Sequence, residues 1–184
     1  MNEEVKNILL EKIPIWLKNL PEDLSYLMNL IETQDLEHDA KIALVTGLNY
    51  LFKTIDLIPD GLDEIGYIDD CIILRIVSRE VVDKYGDRLN DEVFGRLKIM
   101  AGDVDILKPE LGEELWSKLL NYVEELKEMP SKGRTSEDIL KDKNTFNQFK
   151  TELMTFVDSY EGKVESIDEK TLVKLKAFLE AKLS

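Results

Sequence analysis

The sequence predicts an all-α protein: an irregular bundle of about seven or eight helices built around a central helix–loop–helix hairpin. Three observations carry this. Apolar residues recur at spacings of three and four over most of the 184 residues. Strand-period alternation persists nowhere. Prolines and glycines fall mainly between the periodic stretches, where they punctuate helices.

Residues 3 to about 18 carry Val5, Ile8, Leu9, Ile13 and Trp16 on one helical face, and Pro14 is expected to kink or restart the helix. Pro21-Glu22-Asp23 reads as a new first turn, with Leu24, Leu27, Met28 and Ile31 as the buried face that follows. From about Asp39 to Lys53 the chain is apolar nearly all round, which predicts a central core helix. Gly47 weakens that helix and suits a close crossing. A second core helix is expected from about Asp69 to Tyr85, stopped by Gly86. Asn90-Asp91-Glu92 starts a helix ending near Gly102, and Pro109 opens a long one to Met129. Pro130 to Ser136 reads as a linker. Beyond it come a helix bearing Phe146, Phe149, Leu153 and Phe156, and one introduced by the capping-box pattern Ser166-x-x-Glu169. The organisation expected is a helical domain over 1–130 and a C-terminal helical hairpin over 135–184, packed on it or forming a small subdomain.

With 24 Lys and Arg against 38 Asp and Glu, the net charge is −14. Such a surface repels phosphate backbones, and no run forms a basic patch, so nucleic-acid binding is not expected. The same charge disfavours an anionic membrane surface. The N-terminal M-N-E-E-V-K is acidic and unlike a signal peptide, and the best apolar stretch, 42–59, is interrupted by Asn49, Lys53 and Asp56. The expected location is cytoplasmic. The single cysteine, Cys71, sits in an apolar run and reads as a buried core residue.

The stretch from Tyr50 to Asp70 stands apart. It joins the two core helices and concentrates Asp56, Asp60, Asp63, Glu64, Asp69 and Asp70 with Pro59 and two glycines. Aspartates accept backbone hydrogen bonds in turns, and acids favour a first helical turn, so one reading is a structural closure of the interhelical connection. The other is a divalent-cation site of Asp56, Asp60, Asp69 and Asp70, whose hard oxygens suit Mg²⁺ or Ca²⁺. The spacing is no EF-hand: counted from Asp60, Leu62 stands at position three, and counted from Asp103, Leu107 stands at position five.

Tyr50, Asp56-Leu57-Ile58-Pro59-Asp60, Gly66 and Asp69-Asp70 resemble the signature of the YkvA-like family, a bacterial domain of unknown function. The resemblance covers roughly residues 40 to 80. Thr54 and Asp63 stand where that family usually has prolines. The resemblance implies a helix–loop–helix core unit, relatives that associate with membranes through added apolar segments, and no established enzymatic activity.

Nucleotide-binding and serine-hydrolase motifs are absent, and the one histidine, His38, reads as a helix-start or surface residue. The function expected is that of a non-catalytic interaction or scaffold protein, with an unknown protein partner or a second copy of itself. A cation-binding protein or metal-dependent hydrolase using the acidic loop is the alternative, and a peripheral membrane protein is a third reading.

Overall fold

The computed structural model describes residues 3–53, 56–58, 66–161 and 167–184, and the protein is all-α. Among these residues no strand forms; the nearest approach is an isolated antiparallel bridge between Ser131 and Arg134. The helices are α1 (Glu3–Thr33), α2 (His38–Tyr50), α3 (Ile68–Tyr85), α4 (Asp91–Gly102), α5 (Leu107–Leu111), α6 (Glu113–Glu125), α7 (Ser136–Lys141), α8 (Lys143–Ser159) and α9 (Glu169–Lys182). Short 3₁₀ turns follow α3 and α4.

The two core helices lie together at the centre, as their apolar composition predicts. Leu44, Leu48, Ile72, Ile73 and Val77 are fully buried between them and their neighbours. Their closeness depends on Gly47. A Cβ there would stand 2.7 Å from Val77 Cγ2 and 3.3 Å from Leu74 Cδ2. Around this pair, α1 packs on α2, α3 and α8, α4 packs on α3, and α6 packs on α3 and α9.

Three local expectations are corrected. The first concerns Pro21, which lies inside a continuous α1 rather than opening a new helix. Proline leaves the carbonyl four residues back without its helical donor. That carbonyl belongs to Leu17, and the Tyr160 hydroxyl donates to it at 3.0 Å. A side chain from the end of α8 thus replaces the bond that Pro21 removes, and the helix runs on.

The second is the helix expected from Pro109 to Met129. It is divided at Gly112, whose φ of 82° lies in the left-handed region that glycine adopts without strain. Beyond Glu125 the chain tightens into three-residue turns, with Lys127, Glu128 and Met129 N–H donating to Glu124, Glu125 and Leu126 carbonyls.

The third is the expected linker. It is a tight turn, with Lys132 at φ 48° and Gly133 at φ 77° reversing the chain between Ser131 and Arg134. Both flanking residues are buried. The Arg134 carbonyl accepts from Asn49 Nδ2 at 3.1 Å, and its guanidinium stacks over Phe52 and Phe149 while pairing with Glu152 at 2.7 Å.

Two smaller differences concern helix ends. Gly86 keeps a right-handed conformation, and its lack of a side chain instead makes room for Phe94, which a Cβ would meet at 2.8 Å. Ser166 lies outside the described residues, and the capping box of α9 is formed by Asp168 and Thr171. The Asn90 cap of α4 is as expected, its Oδ1 accepting from Val93 N–H at 3.0 Å.

Candidate functional site

Within the described part of the acidic connection between α2 and α3, a tyrosine and an aspartate hold the backbone of Leu57 and Ile58. Tyr50 is the last residue of α2, and Asp69 lies in the first turn of α3. The Tyr50 hydroxyl donates to Asp69 Oδ2 at 2.6 Å and accepts from Leu57 N–H at 2.7 Å. Asp69 Oδ2 also accepts from Ile58 N–H at 3.0 Å. Two successive backbone donors of the D-L-I-P-D stretch are therefore held by side chains from the two helices it joins.

Burial gives these bonds their weight. Asp69 is 1% exposed and Asp70 3%, and Leu57 and Ile58 are equally hidden. A backbone N–H out of contact with water must find an acceptor, and a buried carboxylate must find donors. Burial, reinforced by the Asp69 charge, pushes the Tyr50 hydroxyl far above its ordinary value, so it holds its proton and donates. Tyr122 packs edge-on to the Tyr50 ring at 6.4 Å. Burial raises its hydroxyl too, and the charges of Asp56 and Asp69 add to the effect.

The four acids singled out as cation ligands are distributed as follows. Asp69 is the acceptor of the closure. Asp70, beside it on α3, is buried, and its charge is felt at Cys71 and Tyr160. Asp56 is half-buried at the start of the described Asp56–Ile58 stretch. Asp60, like Pro59, Asp63 and Glu64, lies outside the described residues. Among the described residues no three His, Cys, Asp or Glu side chains are arranged to hold a metal ion.

The residues most often used as nucleophile or base are differently placed. Cys71 is fully buried, and burial pushes its thiol well up, away from the reactive thiolate. His38 is exposed at the start of α2 and sits 2.9 Å from Glu137.

A second buried polar cluster was not anticipated. Arg75, 4% exposed on α3, donates to the Cys71 carbonyl at 2.9 Å and to Asp23 Oδ2 at 3.3 Å. Its guanidinium lies over the Trp16 ring at 4.6 Å. Trp16 Nε1 and Lys12 Nζ both donate to Asp103, each at 2.9 Å, and Arg75 Nε is 4.0 Å from the same carboxylate. Burial pushes the Asp23 carboxyl up, against the pull of Arg75. The cluster ties α1, α3 and the turn after α4 to one another. Its one sequence signal is a cation standing alone in the apolar run Cys71–Val77.

Among the described residues no helix is long and apolar enough to cross a membrane. Compared with curated proteins and with solved structures, the chain finds no match. One family does match, and on the segment just described: residues 40–75, from the first turn of α2 to Arg75, fit the model of DUF1232, a protein of unknown function.

Proposed function

We propose that the chain is a non-catalytic interaction or scaffold protein in which the D-L-I-P-D connection is a structural keystone. The observation that carries this reading is the use of Asp69. Its Oδ2 accepts from Tyr50 and from the Ile58 N–H inside the protein, so one oxygen of the side chain that most suggests chemistry holds the described part of the connection in place. The burial of Cys71 and the pairing of the exposed His38 with Glu137 support the same reading. We also propose that the connection is of the YkvA-like kind; in support, the matched span 40–75 includes the residues that carry that resemblance, Tyr50, Asp56 to Asp60, Gly66, Asp69 and Asp70.

The partner is a protein or a second copy of the chain, in keeping with exposed apolar side chains such as Ile8 and Ile15, one heptad apart on α1. A cytoplasmic location accords with the net charge of −14.

The test is a set of thermal melts in chelator, Mg²⁺ and Ca²⁺ for the native chain, Asp69→Asn and Asp60→Asn. The keystone reading expects Asp69→Asn to melt lower in chelator and no ion to restore it. A cation at about a hundred times its dissociation constant adds about 2.7 kcal/mol to stability. A cation-specific rise of that size, lost in Asp60→Asn, would overturn the reading in favour of a Mg²⁺ or Ca²⁺ site.

A further inference from the structure

Among the described residues of this acidic protein lies an open groove whose sign runs against the whole. It lies where the end of α1, the start of α2, the end of α7 and the start of α8 meet, with a volume of about 590 Å³. That is within the ~300–1,000 Å³ range of small-molecule sites. Its apolar wall is Ile31, Leu140 and Phe146, the last two half-buried and so partly open to a ligand. Its polar wall holds Lys41, Lys141 and Lys143.

Among the charged residues that line the groove, three lysines stand against one carboxylate, Glu32. Glu32, also on the wall, is neutralised by Lys150 at 2.6 Å, and Glu137 pairs with Lys141 at 3.1 Å. Lys41 and Lys143 make no ion pair among the described residues. They stand on different helices, α2 and α8, facing one groove. The amino end of α2 opens at the same place without a side-chain cap, its Glu37 making no capping hydrogen bond. The amino end of α8 is already met by the Asp142 carboxylate, which accepts from Thr145 N–H at 2.8 Å, so it adds no free positive pole. Two unpaired ammonium groups beside apolar surface define a complementary ligand: an anion attached to an aromatic or aliphatic body.

We propose that this groove binds a small anionic molecule with an apolar body, its carboxylate, sulfonate or phosphate held between Lys41 and Lys143 and its body laid on Phe146 and Leu140. The site is separate from the α2–α3 closure and does not depend on the keystone reading.

The probe is 8-anilinonaphthalene-1-sulfonate, with its uncharged relative N-phenyl-1-naphthylamine as control. Both are titrated by fluorescence into the full chain and into Lys41→Gln/Lys143→Gln. Neither lysine has an ion pair to lose among the described residues, so the double variant is expected to melt with the native chain. One saturable sulfonate site is expected, weakened about tenfold by the double substitution and by raised salt, as follows from losing two charge-assisted contacts. The neutral dye is expected to bind both proteins alike. An unchanged sulfonate affinity in the variant would overturn the proposal, as would the absence of saturable binding to the native chain. Equal weakening of both dyes would also overturn it, since the lysines would then act on the apolar surface rather than on the anion.

Discussion

Removing one oxygen, by Tyr50→Phe, tests the closure of the α2–α3 connection most directly. The ring and its edge-on packing against Tyr122 stay. What goes is the donor to Asp69 Oδ2 at 2.6 Å and the acceptor of Leu57 N–H at 2.7 Å. A hydrogen bond to a charged group contributes about 1.5–3 kcal/mol, and orphaning a buried donor costs about 1–3 kcal/mol. The two overlap, because water that reaches Leu57 N–H also reaches Asp69, so a total of about 3 kcal/mol is expected. For a chain of this size, 1 kcal/mol moves the melting temperature by about 2–4 °C, so a fall of roughly 6–12 °C follows. Urea denaturation followed by circular dichroism measures it, with an unchanged slope to confirm that the folded state is otherwise the same. Asp69→Asn completes a double-mutant cycle, and coupling above about 1 kcal/mol is expected. A Tyr50→Phe protein within about 0.5 kcal/mol of the native one would refute the reasoning, since the loop would then be held by something other than these bonds.

Gly47→Ala would gain about 1 kcal/mol of helix propensity, yet its Cβ would meet Val77 Cγ2 at 2.7 Å, so net destabilisation is expected and Val77→Ala should relieve it; a more stable Gly47→Ala protein would contradict the close crossing. Tyr160→Phe should cost about 1 kcal/mol in the native chain and less in Pro21→Ala, where the helix recovers its own donor to the Leu17 carbonyl. Equal costs in the two backgrounds would show that Tyr160 does not substitute for the missing bond. Glu152 is held low, at about 2, by the hydrogen bonds from Arg134. A folded value below the ordinary 4.5 means stability that is present above 4.5 and lost as pH falls toward 2. Stability measured over that range should therefore fall more steeply in the native chain than in Glu152→Gln. Asp103→Ala withdraws the acceptor shared by Trp16 Nε1 and Lys12 and leaves buried Arg75 with Asp23 as its remaining carboxylate, so a loss of about 3 kcal/mol in urea midpoint terms is expected; an unaltered midpoint would show that the cluster is passive.

Helix periodicity was legible in the residues because it is local: the apolar faces of α2, α3 and α6 can be read one turn at a time. What could not be read locally came out differently. Pro21 breaks a helix in isolation, but the Leu17 carbonyl that it leaves without a helical donor accepts from the hydroxyl of Tyr160, 143 residues further along the chain. The polar residues from Pro130 to Ser136 resemble a linker by composition, yet Arg134 is buried because Phe52, Phe149 and Glu152 converge on it from α8 and the end of α2. The same limit applies to the acidic stretch. That Asp69 begins a helix could be read from its neighbours, but its partner Tyr50 stands 19 residues earlier, at the far end of the connection. Arg75 was missed because Asp23, its partner, lies 52 residues away.

A cation at Asp69 Oδ2 would compete with the closure for that oxygen. A divalent ion taking Asp69 Oδ2 would have to displace the Tyr50 hydroxyl and the Ile58 N–H, both buried, and each donor set loose costs about 1–3 kcal/mol. Carboxylate ligation must exceed that cost before any net affinity appears. The two readings of the acidic stretch therefore make opposite statements about one variant. If the stretch is a keystone, Tyr50→Phe destabilises the protein equally in chelator and in Mg²⁺ or Ca²⁺. If it is a cation site that uses Asp69 Oδ2, removing the competing hydroxyl raises cation affinity, and part of the lost stability returns when the ion is added. Melts of this single variant with and without each ion thus separate structure from chemistry at Asp69, without touching the carboxylate on which both readings depend.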